Sequence, residues 1–108
     1  AVRQKLTDEW DERGAETDLD YAILTNEIMS GAFDMDVEQY KKHKQLKKQN
    51  LRDHMTDLEL IIAMLGEATT TKITQDRDSK GMPKLQKDAK DGGAVAGRTR
   101  RDIENQTG

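Results

Sequence analysis

The chain has 108 residues, of which 36% are Asp, Glu, Lys or Arg, with no cysteine and a formal net charge of −3. That length suits one domain with a modest core. Disulfides and thiolate metal sites are excluded, and no apolar run approaches the ~20 residues of a membrane helix.

Leu, Ile, Val and Phe supply only 19 residues, a level at which disorder is a fair expectation if net charge is also high. Here charge is nearly balanced and five Met residues restore apolar volume, so the composition favours a folded, highly charged helical protein.

Val2, Leu6 and Trp10 stand four apart and predict a first helix that Gly14 ends as a C-cap. Leu19, Ile23 or Leu24, Ile28 and Met29 mark a second helix, closing near Ser30 and Gly31. Asp36 with Gln39 forms a capping box, and Met35 is set to staple against Tyr40, so a short third helix should run to about Lys44. The segment Leu46 to Ile73 carries the clearest pattern. Leu51, Met55, Leu58, Ile62 and Leu65 recur at spacings of four and three, lining one helical seam. Two starts fit it, Asn50 with Asp53 or Thr56 with Glu59. The continuity of the seam favours one long central helix from about Asn50 to Thr71, ending between Thr69 and Asp76, with Gly66 permitting a close neighbour or a bend.

Gln75 to Met82 reads as a loop, and Pro83 suits the first turn of a last helix. Within it Ala89, Gly93 and Gly97 stand four apart, as do Asp88, Gly92 and Ala96. Two adjacent glycines weaken a helix by ~2 kcal/mol relative to Ala, so either a partner packs closely or the chain breaks. No alternating strand pattern, internal repeat or low-complexity tract is present. The fold class expected is all-α, a small bundle of four to five helices in one domain, residues 1–108. The start at Ala1 and the abrupt ENQTG end read as a piece of a longer polypeptide.

Charge is segregated along the chain. Residues 7 to 20 carry seven acids against Arg13, and residues 41 to 54 carry six bases against Asp53. The tail from Lys84 to Arg101 carries six bases against Asp88 and Asp91. Lys41, Lys42, Lys44, Lys47, Lys48 and Arg52 form a candidate surface for an acidic partner or for phosphates. Arg98, Arg100 and Arg101 form a second. Attraction to residues 7 to 20 within the chain is the alternative use of the first group. Only Tyr40 adjoins it, so base stacking is not expected. Trp10, Tyr21, Phe33 and the Met residues read as core anchors.

Gly92 to Thr99, GGAVAGRT, matches a phosphate-binding loop except that Arg98 stands where Lys is required. That motif needs a preceding strand, and KLQKDAKD forms none, so small-residue packing is the preferred reading. Asp53, His54 and Asp57, with Glu59, cluster within two turns. Carboxylates and imidazole are ordinary metal ligands, which makes a metal-dependent nuclease one alternative function. Such a site needs ligands from another element, and His43 is the only other histidine, so capping and surface pairing are preferred. No Ser or Thr has a nearby candidate base. A further alternative is a purely structural homodimer packed through the Ala89, Gly93 and Gly97 face.

The stretches YAILTNEIMSGAF, YKKHKQLKKQNLRDHMTDLEL, MLGEATTTKI and GGAVAGRTRRDIE together resemble the C-terminal region of the bacterial DNA-damage-inducible protein D family. NLRDHMTDLEL is the most specific part, and the likeness runs from about Trp10 to Gly108. Members of that family look like phage antirepressor relatives with an N-terminal BRO-type domain, which is missing from this sequence. The resemblance implies a non-enzymatic regulatory role in the SOS response, acting on recombinase filaments on single-stranded DNA. The lack of cysteine favours a cytosolic place, and the expectation is a cytoplasmic, nucleoid-associated bacterial protein without cofactor or metal. The resemblance identifies no residue-level site.

Overall fold

Local side-chain chemistry sets most boundaries in the computed structural model, which describes residues 1–108. Helix α1 (Val2–Arg13) ends as expected at Gly14, whose φ of 126° lets its N–H bond to the Trp10 carbonyl. Helix α2 (Asp18–Phe33) starts at a capping box absent from the sequence reading, with Thr17 and Asp20 each accepting the other's backbone N–H. It also runs past the expected close at Ser30 and Gly31, stopping only where Asp34 turns left-handed at φ 60°. Leu19 is 68% exposed, because nine residues at ~100° each put it on the face opposite Ile28. Helix α3 (Val37–His43) begins at the expected Asp36 and Gln39 box.

The long central helix does not begin near Asn50. Helix α4 spans Asp57–Arg77, and a separate 3-10 turn occupies Leu51–His54. The Asn50 side chain accepts only from Arg52 N–H, and Met55 then becomes extended at ψ 143°. Thr56 and Glu59 close a complete box and so take the start. The seam therefore breaks. Leu51 is buried and Met55 packs against the same core, but from outside the helix. Leu58 is 48% exposed, whereas Ile62 is buried.

Helix α4 also outruns its expected end. Thr70 and Thr71 donate to the carbonyls of Gly66 and Glu67 at 2.7 and 3.1 Å, and buried Thr74 donates to Asp88 at 2.9 Å. Tertiary burial thus overrides the poor helix propensity of the threonine run. The loop shrinks to residues 78–81, between Arg77 and helix α5 (Met82–Thr107).

Helix α5 crosses Gly92 and Gly93 unbroken because α2 and α4 close on it. A Cβ at Gly93 would stand 2.6 Å from the Ile28 carbonyl oxygen, and one at Gly31 would stand 2.6 Å from the Gly93 carbonyl carbon. At Gly92 it would strike Thr70, and at Gly97 the Gly31 carbonyl. The Ala89, Gly93 and Gly97 face is thus filled from within the chain, which leaves no surface there for a second copy. GGAVAGRT lies in mid-helix, with no strand before it.

The result is an all-α bundle, 80% helical, with five α-helices and no strand. Two buried clusters flank the small-residue crossing. Leu6, Trp10, Leu24, Ile28 and Leu85 fill one, and Met29, Phe33, Tyr40, Leu51 and Ile62 the other. Trp10 and Phe33 are core anchors, with Tyr21 packed at the edge.

Candidate interaction surface

The basic run divides into cations that hold the fold and cations that face water. Arg52 forks onto Glu67 with two hydrogen bonds of 3.0 Å, and Arg3 reaches the same carboxylate at 3.3 Å. Glu67 is almost completely buried, so these arginines supply the pairing that a desolvated carboxylate requires. Lys44 bonds Glu59 at 2.8 Å and lies over the Tyr40 ring at 5.5 Å. The run's intramolecular partners are thus acids of α4, not residues 7 to 20.

Lys42, Lys47 and Lys48 are exposed and Lys41 half-buried. None forms an ion pair, while the run's Lys44 and Arg52 both do. The 3-10 turn and the Arg52 fork hold the segment that carries Lys47 and Lys48 against α4. This leaves Lys41 and Lys42 unpaired on α3 and Lys47 and Lys48 unpaired on the tethered connection after it, an arrangement that sequence spacing could not separate from a fully paired one.

The tail group divides similarly. Arg100 donates to the Ala32 carbonyl at 2.7 Å and to Asp34 at 2.8 Å, and also pairs with Glu104, so it seals the end of α2. Arg98 is exposed, and Arg101 is exposed with only a 3.9 Å approach to Asp34.

Between α3, the start of α4 and the end of α5 lies an open groove of about 390 Å³ that the sequence reading missed. Phe33, Met35, Tyr40, Leu58, Ile62 and Ile103 form its apolar lining, and His43 and Lys44 stand at its edge. The signal was present only as Leu58, one residue past Asp57 and so on the first turn of α4 once Thr56 is the cap. Read as a seam residue of a longer helix, it was assigned to the core.

Asp53 and His54 sit in the 3-10 turn and Asp57 in the first turn of α4. No group of three or more His, Asp or Glu side chains comes together to hold a metal ion. The nuclease reading therefore has no ligand set.

Carboxylates whose acidity is altered serve caps and helix ties. The backbone N–H groups of Glu16 and Thr17 hold Asp20 below the usual carboxylate range. Gln75 and then Arg13 do the same for Glu9, as does Arg13 for Asp78 and Lys87 with Arg77 for Asp91. Burial, with Asp11 nearby, pushes the Tyr21 hydroxyl up.

Fold and surface together define a small all-α bundle with unpaired lysines on α3 and the connection after it and with an open apolar groove, and no helix is long and apolar enough to cross a membrane. The DinD C-terminal domain family matches residues 1–108, and the chain belongs to that family. Its name ties it to a DNA-damage-inducible protein. No curated protein and no solved structure matches the chain.

Proposed function

We propose that this chain is a non-catalytic regulatory interaction module of the bacterial SOS response, acting on recombinase filaments on single-stranded DNA. Family membership supports the DNA-damage setting. The observation that carries the surface is the set of unpaired lysines, Lys41 and Lys42 on α3 and Lys47 and Lys48 on the connection that leads to Arg52 and its tie to Glu67. Arg52, Lys44 and Arg100 are engaged inside the fold, so the partner-facing charge belongs to the four lysines, with Arg98 and Arg101 as a lesser patch on α5.

An exposed ion pair contributes only ~0.2–1 kcal/mol, so the four act together and are weakened by salt. The test is retention of the chain by recombinase, with and without single-stranded DNA, at two salt concentrations. Replacing all four lysines by Glu should lower retention roughly tenfold, from four contacts of a few tenths of a kcal/mol each, with helicity unchanged. Undiminished retention refutes the surface. Retention without DNA points to protein contact, and retention that requires DNA points to phosphate contact.

A further inference from the structure

Helix α5 buries one side in the bundle, and its wet side is cationic. At about 100° per residue, Lys84, Lys87, Lys90, Arg98 and Arg101 fall within about 120° of arc. All five are exposed. Leu85, Ala89, Gly93 and Gly97, which are buried, stand on the opposite side. From Lys84 to Arg101 is about 26 Å of helix axis at 1.5 Å per residue. Ala94 lies inside the same arc, so no bulky side chain interrupts the row between Lys90 and Arg98.

The charge of this row is not cancelled within the chain. Lys84, Lys90 and Arg98 enter no ion pair, and Arg101 has only its 3.9 Å approach to Asp34. Lys87 holds Asp91 at 2.8 Å, an acid that Arg77 binds as well. Asp102 is the other acid in the arc, at its edge. The remaining acids of the helix are spent elsewhere, Asp88 buried against Thr74 and Arg77 and Glu104 paired with Arg100. Glu27, half-buried on α2 with its carbonyl beside Gly93, pairs with none of the five. Five positive charges thus face two negative ones along one rigid line.

We propose that this row binds the phosphate backbone of a single nucleic-acid strand laid along α5. An acidic protein partner would need an apolar anchor in the contact, and the arc offers only Ala94. An anionic bilayer would need an apolar helix face to take up, and that of α5 lies in the core. A chain of phosphates needs neither. At the 3.4 Å per phosphate of a stacked strand, the row spans about seven or eight phosphates. A single strand can follow a straight row from end to end, whereas the phosphates of a duplex wind away from it. Arg98 and Arg101 add the planar fork that suits phosphate oxygens. No aromatic side chain stands in the row, so the bases are left untouched and no sequence is read. The inference deepens the proposed function and rests on it for the setting, but it is measured on DNA without any filament.

The experiment follows the anisotropy of a labelled oligothymidylate as the full chain is added, at 50 to 200 mM salt. Wild type is compared with a variant that combines Lys84→Gln, Lys90→Gln and Arg98→Gln. None of the three side chains holds another, and Gln is a good helix former, so circular dichroism and Tm should be unchanged. Five contacts to a single strand give a slope of log affinity against log salt of about −3.5, roughly a 100-fold loss across that range. The two contacts left in the variant give about −1.4, roughly a sevenfold loss. An abasic deoxyribose-phosphate oligomer should bind as well as oligothymidylate, because only phosphates are held.

A wild type that leaves the oligonucleotide free at 50 mM salt overturns the proposal, and so does a variant with the wild-type slope. Tighter binding of a duplex of equal length, equal competition by polyglutamate, or loss of binding to the abasic oligomer each refutes the single-strand backbone as the ligand. Recombinase retention without DNA reads the lysines of α3 and its connection and not this row. If the oligonucleotide binds as described while that retention ignores those lysines, the row stands and the earlier surface falls. If retention depends on them while no oligonucleotide binds, the reverse holds.

Discussion

Gly93→Ala distinguishes a helix judged by its own residues from one judged by its neighbours. In an isolated helix the change is stabilising by ~1 kcal/mol, since Gly is the weakest ordinary helix former. In the bundle the new methyl would stand 2.6 Å from the Ile28 carbonyl oxygen, 3.0 Å from Ile28 Cα and 3.1 Å from the Glu27 carbonyl oxygen. All three atoms are backbone, and none can rotate away. Helix α2 must retreat by roughly the difference from a normal 3.5 Å contact, and a gap of ~0.5–1 Å forfeits a quarter to a half of each pairwise attraction along the crossing. Overpacking of this kind costs ~1–3 kcal/mol. The immobility of the struck atoms places the cost at the upper end, so the net destabilisation is about 2 kcal/mol after the propensity gain. For a domain near this size that lowers Tm by about 8–16 °C. Thermal and urea unfolding of wild type, Gly93→Ala and the exposed control Lys90→Ala measure it. An unchanged or raised Tm for Gly93→Ala refutes the close crossing.

Thr56→Ala should cost about 1 kcal/mol by removing the α4 cap, and Asn50→Ala less than half as much, because it caps only a 3-10 turn. The reverse order in urea unfolding would restore the helix from Asn50. Arg52→Ala leaves buried Glu67 with Arg3 alone and should cost ~1–2 kcal/mol, discounted for the partial exposure of the guanidinium. Arg52→Lys should recover only part of that, since Lys lacks the two-pronged donor, and full recovery would argue that charge alone matters. The carboxyls of Asp20, Asp78, Asp91 and Glu9 are held below their ordinary values of 3.8 and 4.5. Their stabilisation is complete above those values and is lost as pH falls through the lower folded ones. Unfolding midpoints should therefore hold from pH 7 to about 5 and drop below about 4, with a shallower drop for Asp20→Asn; identical acid profiles for the two proteins would contradict the assignment of Asp20.

Short-range signals in this chain were legible because they act between neighbours in sequence. The Asp36 and Gln39 box, the Gly14 stop and Pro83 at the last helix each satisfy or remove a backbone donor within a few residues, and all three stand where the spacing predicts. Asn50 and Thr56 offered competing starts of the same kind. Leu51 and Met55 continued the periodicity across both, so the pattern favoured the wrong one. Periodicity reports which residues are apolar, not which face water, and it could not show that Leu58 opens onto a groove or that Leu19 points away from the core.

The bound states of the cations were equally illegible. Arg52 and Lys48 read alike as bases in one run, yet one forks onto a buried carboxylate fifteen residues on and the other projects into solvent. Composition and local capping thus determined on their own that the chain is helical, where α3 and α5 begin and that charge is segregated, because these depend on energies within one or two turns. Which glycines are crowded, which lysines are free and where the groove opens were decided only by the tertiary structure, since each depends on groups brought together by the crossing of α2, α4 and α5.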